Sequence, residues 1–319
     1  MNETTFIDKY RPTWQRFERL LDDVDDDYPV EQLDEFPELY RQLCQHLSIA
    51  KHRGYRPAVV DRLNTLVERG HAVMYASRSG RWGPILEYVR GGFARDVRED
   101  WGLFLVSALV FYGPFIGMFL WLQFEPDWAY HILGPMQASK MEEMYSEPSV
   151  RPPSAADSDF VMFGFYVFNN VSIALRTFAS GMIAGIGALF VLVFNGTTLG
   201  TVAGHIQNAG YGDHFWQFVI GHGSFELTAI VLAGQAGFKL GFAPIWPGRR
   251  TRMQALKEEA RDSVGIVAGF FVMLVIAAFI EAFWSPSTAA AQTKYLVGGL
   301  LWLIVVLYFG FAGRGHGPR

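Results

Sequence analysis

Beyond the first hundred residues, apolar positions run together in long stretches separated by polar loops. The stretches are residues 102–124, 160–175, 177–201, 215–242, 264–284 and 296–312. A helix that crosses a bilayer needs about 20 mostly apolar residues. The pattern predicts an all-α, polytopic membrane helix bundle of six crossings. The second stretch is short, roughly 24 Å at about 1.5 Å per residue, and its length also fits a re-entrant segment.

The first hundred residues read differently. Apolar residues recur there at helical spacing: Trp14, Phe17, Leu20 and Leu21, then Leu39, Leu43 and Leu47, then Val59, Leu63, Leu66 and Val67. In residues 84–100, Leu86, Val89, Phe93 and Val97 lie on one side, with Arg90, Arg95 and Arg98 among the others. That pattern predicts an amphipathic helix lying on the membrane surface. The expected organisation is a cytoplasmic helical region over 1–100, including that surface helix, and a transmembrane bundle over 101–319. The acidic run Asp22, Asp23, Asp25, Asp26 and Asp27 reads as a solvated turn between two helices.

Composition agrees with this division. Half of the 319 residues are hydrophobic and 18% are charged, against about 25% charged in soluble domains. A net charge of −4 and the lack of a long basic run argue against a nucleic-acid partner. Cys44 is the single cysteine, so an intrachain disulfide is excluded. The opening MNETTFIDKYRPTW lacks the basic and apolar regions of a signal peptide, which leaves the first crossing as the expected membrane signal.

Charge in the loops sets the expected orientation. Arg81, Arg90, Arg95 and Arg98 precede the first crossing; Arg249, Arg250, Arg252, Lys257 and Arg261 lie around the fourth loop; Arg314 and Arg319 follow the sixth crossing. Residues 125–159 carry Lys140 and Arg151 against seven acids, and residues 285–295 have only Lys294. Both termini are therefore expected in the cytoplasm of a bacterium, with the protein in its inner (cytoplasmic) membrane. The loop over 125–159, with Arg151-Pro152-Pro153, is expected to be irregular and external.

Ionisable groups within the apolar stretches are the candidate chemistry, because they are costly in hydrocarbon unless paired or wetted. His222 and Glu226 stand at i and i+4 on one helix face. Three readings fit them: two ligands of a metal ion, a proton- or ion-responsive pair, or a polar clamp between helices. No third ligand is evident from their spacing, and whether a metal binds stays open. Asn169, Ile173 and Arg176 share a face by i, i+4, i+7 spacing, with Asn170 beside them. Arg176 either meets Glu226 or snorkels to the headgroups. Asn169, Asn170, Arg176, Asn195, His222 and Glu226 form the candidate intramembrane polar site. Glu281 reads as interfacial, with a vestibule as the alternative, and His205 and His214 as solvated.

Small residues recur every fourth position. Gly196, Gly200 and Gly204 form one run, Gly181 and Gly185 another, and Gly237 lies between Ala233 and Gly241. This spacing lets helix backbones approach closely, within the chain or across a homo-oligomer. None of these glycines forms a phosphate-cradling loop, no nucleophile elbow is present, and no motif asks for a cofactor.

The run FNNVSIALRTFASGMIAGIGALFVLVFNGTTLG, followed by IGHGSFELTAIVLAGQAGFKLG, resembles the stage II sporulation protein M family. The Asn169-Asn170 pair, an Asn195-Gly196 turn with Gly200, and His222-Gly223-x-x-Glu226-Leu227 carry the likeness. FIDKYRPTWQRFERLL, LYRQLCQHL and LNTLVERGHAVMY are similar to the long variant of non-sporulating bacteria. The resemblance implies a non-enzymatic membrane scaffold or assembly factor in envelope remodelling. It implies envelope or other membrane proteins as partners, and a cytoplasmic MoxR-type AAA ATPase system beside the usual membrane lipids. The alternative from the residues themselves is a transporter or channel whose route is lined by Asn169, Asn170, Arg176, His222 and Glu226.

Overall fold

The computed structural model describes residues 2–23, 35–76, 83–146 and 156–314. Helices make up the fold, and no strand occurs among the described residues. The chain forms two compact units, Met1–Leu86 and Glu87–Arg319.

The first unit holds α1 (Glu3–Asp23), α2 (Phe36–His52) and α3 (Pro57–Ala76). Each contacts the other two. Their apolar stripes meet in a core of Phe6, Trp14, Phe17 and Leu21 from α1, Phe36, Leu39, Leu43 and Leu47 from α2, and Leu63 and Leu66 from α3. His46 is the polar member of this core. The Trp14 indole Nε1–H donates to His46 Nδ1 at 3.2 Å, and the Tyr10 ring lies 4.0 Å from the imidazole, centroid to centroid. Burial pushes the His46 pKa down, and the Lys9 charge adds to the effect. Of the acidic run, Asp22 pairs with Arg69 at 2.8 Å, while Asp25, Asp26 and Asp27 lie outside the described residues.

Later in the chain, α4 (Gly83–Glu87) leads into a π-helical turn (Tyr88–Gly92) and α5 (Phe93–Glu99). The amphipathic face expected on the membrane surface is divided. Leu86 and Val89 are exposed, but Phe93, Ala94 and Val97 are buried in the core of the membrane unit. Arg98 donates to the carbonyls of Phe309, at 2.8 Å, and Ala312. The Tyr308 hydroxyl donates to the Val89 carbonyl at 2.7 Å. A guanidinium at the carbonyl end of a helix satisfies acceptors that have no partner within the helix. This segment therefore packs with the helices of the second unit, which begins at Glu87.

Among the described residues, six helices are long and apolar enough to cross a membrane. They are α6 (Trp101–Trp121), α9 (Ala156–Ser180), α10 (Ile186–Asn208), α11 (Gly212–Phe242), α12 (Arg252–Phe279, continued by a π-helical turn Ile280–Trp284) and α13 (Ala291–Phe311). Two short helices, α7 (Trp128–Leu133) and α8 (Pro135–Ser146), occupy the loop expected to be irregular. Arg151-Pro152-Pro153 lies outside the described residues. The second crossing is one continuous helix of 25 residues, about 37 Å long, so its length is that of a full crossing and not of a re-entrant segment. Residues 177–180 complete α9, and the turn to α10 comes at 181–185, where Ala184 and Gly185 take positive φ. The Asn195–Gly196 pair sits inside α10 and is not a turn. The Asn195 side chain donates to the Val191 carbonyl one turn back, at 2.8 Å.

α11 is the central helix. It packs against each of the other five spanning helices. That position explains how its polar residues avoid lipid. Close packing is achieved through glycine. A Cβ on Gly196 would lie 2.2 Å from the Phe111 carbonyl oxygen, and one on Gly200 would lie 2.2 Å from that of Phe115. These contacts seat α10 on α6, and Gly204 continues the seam against Leu122. Gly181, Gly185, Gly237 and Gly241 form a second seam where the α9–α10 turn meets α11. Gly181 is packed on the Gly237 backbone, and Gly241 on those of Gly181 and Gly185.

Candidate functional site

The residues that α11 carries toward its neighbours are His222 and Glu226, with 5% of His222 and 16% of the Glu226 side chain exposed. The His222 Nε2 to Glu226 Oε2 distance is 3.9 Å. Glu281 joins them. One potential ligand atom from each of the three residues lies within 4.8 Å of the other two.

The backbone explains how Glu281 arrives there. It lies in the π-helical turn that ends the fifth crossing, where the Ser285 N–H bonds back to the Ile280 carbonyl at 2.8 Å. A π-bulge offsets side chains from the register of the preceding α-helix, and such bulges are frequent at functional sites. Glu281 reads as interfacial only if α12 keeps its regular register and ends at the bilayer surface. The structure instead places it beside Glu226, because α11 extends well past the end of α12.

Ser285 is the second link. It is buried, and its Oγ lies 3.2 Å from His222 Nδ1. Its carbonyl accepts from the Lys294 Nζ at 2.8 Å, which ties α13 to the same point. On the third side is Asn170 of α9, 4% exposed and within hydrogen-bonding reach of Glu281. Asn169 donates from its Nδ2 to Asn170 Oδ1 at 2.9 Å but is itself on the outside of α9. The cluster thus joins α9, α11 and α12.

Arg176 does not take part. It is exposed on α9. Its neighbour Thr177 packs against Gly237, eleven residues beyond Glu226 on α11, or about 16 Å along the axis. Pairing with Glu226 requires a turn near Arg176, whereas α9 runs on to Ser180. Asn195 is also separate, bonded within α10. Of the six candidate residues, His222, Glu226, Asn170 and, through Asn170, Asn169 belong together, while Arg176 and Asn195 do not.

Ser285 and Lys294 are additions that sequence reasoning missed, and Glu281, singled out there but not grouped with the site, joins it. An acid in the apolar run FIEAFW was the available signal for Glu281. Ser285 and Lys294 gave none, since each follows from the path of the chain after α12.

Aromatic residues surround the site on the side of α8. Burial, then the neighbouring Glu281, Tyr166 and Glu226, push the Tyr145 phenol above its ordinary range. Tyr145 packs edge-on against Phe215 at 5.2 Å, and its carbonyl lies 3.0 Å from His214 Nδ1. Beside it, His205 Nε2 is 2.8 Å from Glu142 Oε1. These two histidines therefore anchor α8 to the bundle. The solvated placement expected for them does not hold, because α8 folds back over the ends of α10 and α11.

The opposite end of the bundle carries a second polar group. Lys239 Nζ lies 2.7 Å from Asp100 and 3.6 Å from Glu259, and Gln235 donates to the Val97 carbonyl at 2.9 Å. This group joins α11 to the segment before α6 and to α12. It lies at least nine residues along α11 from Glu226.

Comparison with known proteins places this architecture. Residues 4–76 match a domain family of unknown function. An uncharacterized protein of Methanocaldococcus jannaschii is 25% identical over 123 residues, covering 38% of this chain and 69% of that protein. No solved structure matches the chain. The family described as stage II sporulation protein M matches residues 101–286. That match takes in over half of the chain, including Asn170, His222, Glu226, Glu281 and Ser285. The chain belongs to the stage II sporulation protein M family.

Proposed function

We propose that this protein is a non-enzymatic scaffold or assembly factor for envelope remodelling, held in a bacterial inner membrane with both termini in the cytoplasm. The supporting observation is that the polar groups of the membrane unit close on one another. His222 Nδ1 lies 3.2 Å from the Ser285 hydroxyl and His222 Nε2 lies 3.9 Å from Glu226, Asn169 donates to Asn170, and Lys294 donates to the Ser285 carbonyl. Polar contacts of this kind hold helices in a fixed arrangement, which suits a platform. The folded unit α1–α3 adds a compact body with its own core, suited to receive a cytoplasmic partner. A MoxR-type AAA ATPase system is the partner class we favour, together with other envelope proteins and, through the apolar outer faces of the crossings, membrane lipids.

The test is reconstitution beside interaction mapping in cells. Photo-crosslinkers on exposed positions of α1–α3, such as Asp61, should trap a defined envelope protein or ATPase, and deleting the gene should disperse that partner from the membrane. Proteoliposomes of the purified protein should pass ions no faster than protein-free vesicles. Flux that Glu226→Gln abolishes would sink the scaffold reading and favour a transporter.

A further inference from the structure

We propose that His222, Glu226 and Glu281 form a binding site for one divalent transition cation, of the zinc class, buried within the membrane bundle. Three observations converge on it.

The donor set is the first. One imidazole and two carboxylates offer ligand atoms that lie within 4.8 Å of one another. A cation with ligands at about 2.0–2.2 Å needs only small side-chain movements to gather them, and three protein ligands with one further position is a common zinc arrangement. Imidazole with carboxylate suits zinc and neighbouring metals better than it suits calcium or magnesium, which take oxygen ligands. The donors come from two helices, so the cation would join α11 to the end of α12.

The orientation of His222 is the second. Ligating histidines generally use their other ring nitrogen to hold a hydrogen-bond partner, which fixes the tautomer and the ring plane. Here Nδ1 faces Ser285 Oγ at 3.2 Å, which leaves Nε2, the atom on the Glu226 side, free to ligate. Ser285 is fixed in turn by the turn that carries Glu281 and by Lys294 on its carbonyl.

The state of Glu281 is the third. Its Oε2 atom is buried and has no hydrogen-bond partner among the described residues. A buried polar atom without a partner is costly, and native structures commonly supply an ion or water there. Two carboxylates facing each other in apolar surroundings also repel, and a divalent cation between them removes that repulsion. Asn170, within reach of Glu281, supports the ligating carboxylate from α9.

The experiment uses the full-length protein purified in detergent. Supplied with Zn²⁺ during purification and then dialysed against metal-free buffer, wild type should retain about one zinc per chain by elemental analysis. Co²⁺ in its place should give visible absorption bands of a nitrogen- and oxygen-ligated ion. Glu226→Gln and Glu281→Gln keep side-chain shape and should each weaken zinc binding at least tenfold while helix content and elution volume stay those of wild type. Glu259→Gln, at the other end of the bundle, should bind as wild type does. Should a Gln variant fail to fold, the cobalt spectrum of wild type and its loss on adding excess zinc decide the matter. Wild type with less than one zinc in ten chains, or a folded Glu281→Gln protein that holds zinc as tightly as wild type, would overturn the proposal. Either result would leave a shared proton or a plain hydrogen-bonded clamp in its place.

Discussion

His222 and Ser285 face each other at 3.2 Å across the boundary between α11 and the turn that ends the fifth crossing. Sixty-three residues separate them in the chain. The contact sets the imidazole plane, and through it the direction of the nitrogen that faces Glu226. Ser285→Ala removes the side-chain hydroxyl and leaves the carbonyl that Lys294 uses. One lost hydrogen bond of this kind is worth about 1 kcal/mol. Thermal unfolding of the purified protein should shift down by a few degrees, and zinc affinity should fall roughly tenfold, in line with the loss of an orienting partner. Unchanged affinity beside a lowered melting temperature would show that the hydroxyl serves packing alone.

The three-helix unit should weaken in mild acid. Burial holds the His46 imidazole pKa below its ordinary value, so the unfolded chain takes up a proton more readily than the folded one. Stability is then complete above the unfolded value of about 6.5 and is lost progressively as pH falls below it. Protonation also removes the Nδ1 lone pair that accepts from Trp14. Urea unfolding of residues 1–86, followed by circular dichroism, should show a lower midpoint at pH 5 than at pH 7.5. His46→Gln, which retains an acceptor for Trp14, should flatten that difference. A midpoint that does not move between these pH values would contradict the buried, neutral imidazole.

Much of the bundle is legible in the sequence because a membrane crossing announces itself by length and apolarity alone. All six crossings are visible in that way. Their ends are less so. Residues 177–180 look continuous with the third stretch, yet the positive φ at Ala184 and Gly185 puts the turn later. Arg176 could meet Glu226 only if the chain turned near residue 176, and with α9 running on to Ser180 it is exposed instead. Phe93 and Val97 show an apolar face, but periodicity does not tell a lipid surface from a protein core. Glu281 is the instructive case. A regular helix that ended at the bilayer surface would make it interfacial, and the π-helical turn and the overhang of α11 bring it to His222 instead. Irregular backbone of this kind has no period in the sequence to read.

Glycine at the α6–α10 seam should be irreplaceable in a way that glycine elsewhere on α6 is not. A Cβ at position 196 would stand 2.2 Å from the Phe111 carbonyl oxygen, and backbone cannot yield as a side chain tip can. A Cβ at Gly113, on α6, would meet nothing within 4 Å among the described residues. Gly196→Ala should force the two helices apart and cost about 1–3 kcal/mol, as overpacking does. Gly113→Ala should leave the melting temperature unchanged or raise it. Equal melting temperatures for the two variants would mean that the seam is loose in the membrane.

The orientation of the bundle is open to a direct chemical test. Arg249, Arg250, Arg252, Lys257 and Arg261 crowd the connection between α11 and α12, and basic loops are retained in the cytoplasm. The up-and-down order of the six crossings then puts α7 and α8 on the other side, together with the end of the bundle nearer His222 and Glu281. Single cysteines at Lys257 and at Asp127, in a Cys44→Ser background, should differ in their reaction with a membrane-impermeant maleimide applied to intact cells. Where an outer membrane is present, it is first made permeable to the reagent. Asp127→Cys should label in intact cells. Lys257→Cys should label only after the inner membrane is opened. Labelling of Lys257→Cys from outside would invert the bundle. The zinc site would then be reached from the cytoplasm, and α1–α3 would lie outside the cell, where no cytoplasmic ATPase can meet it.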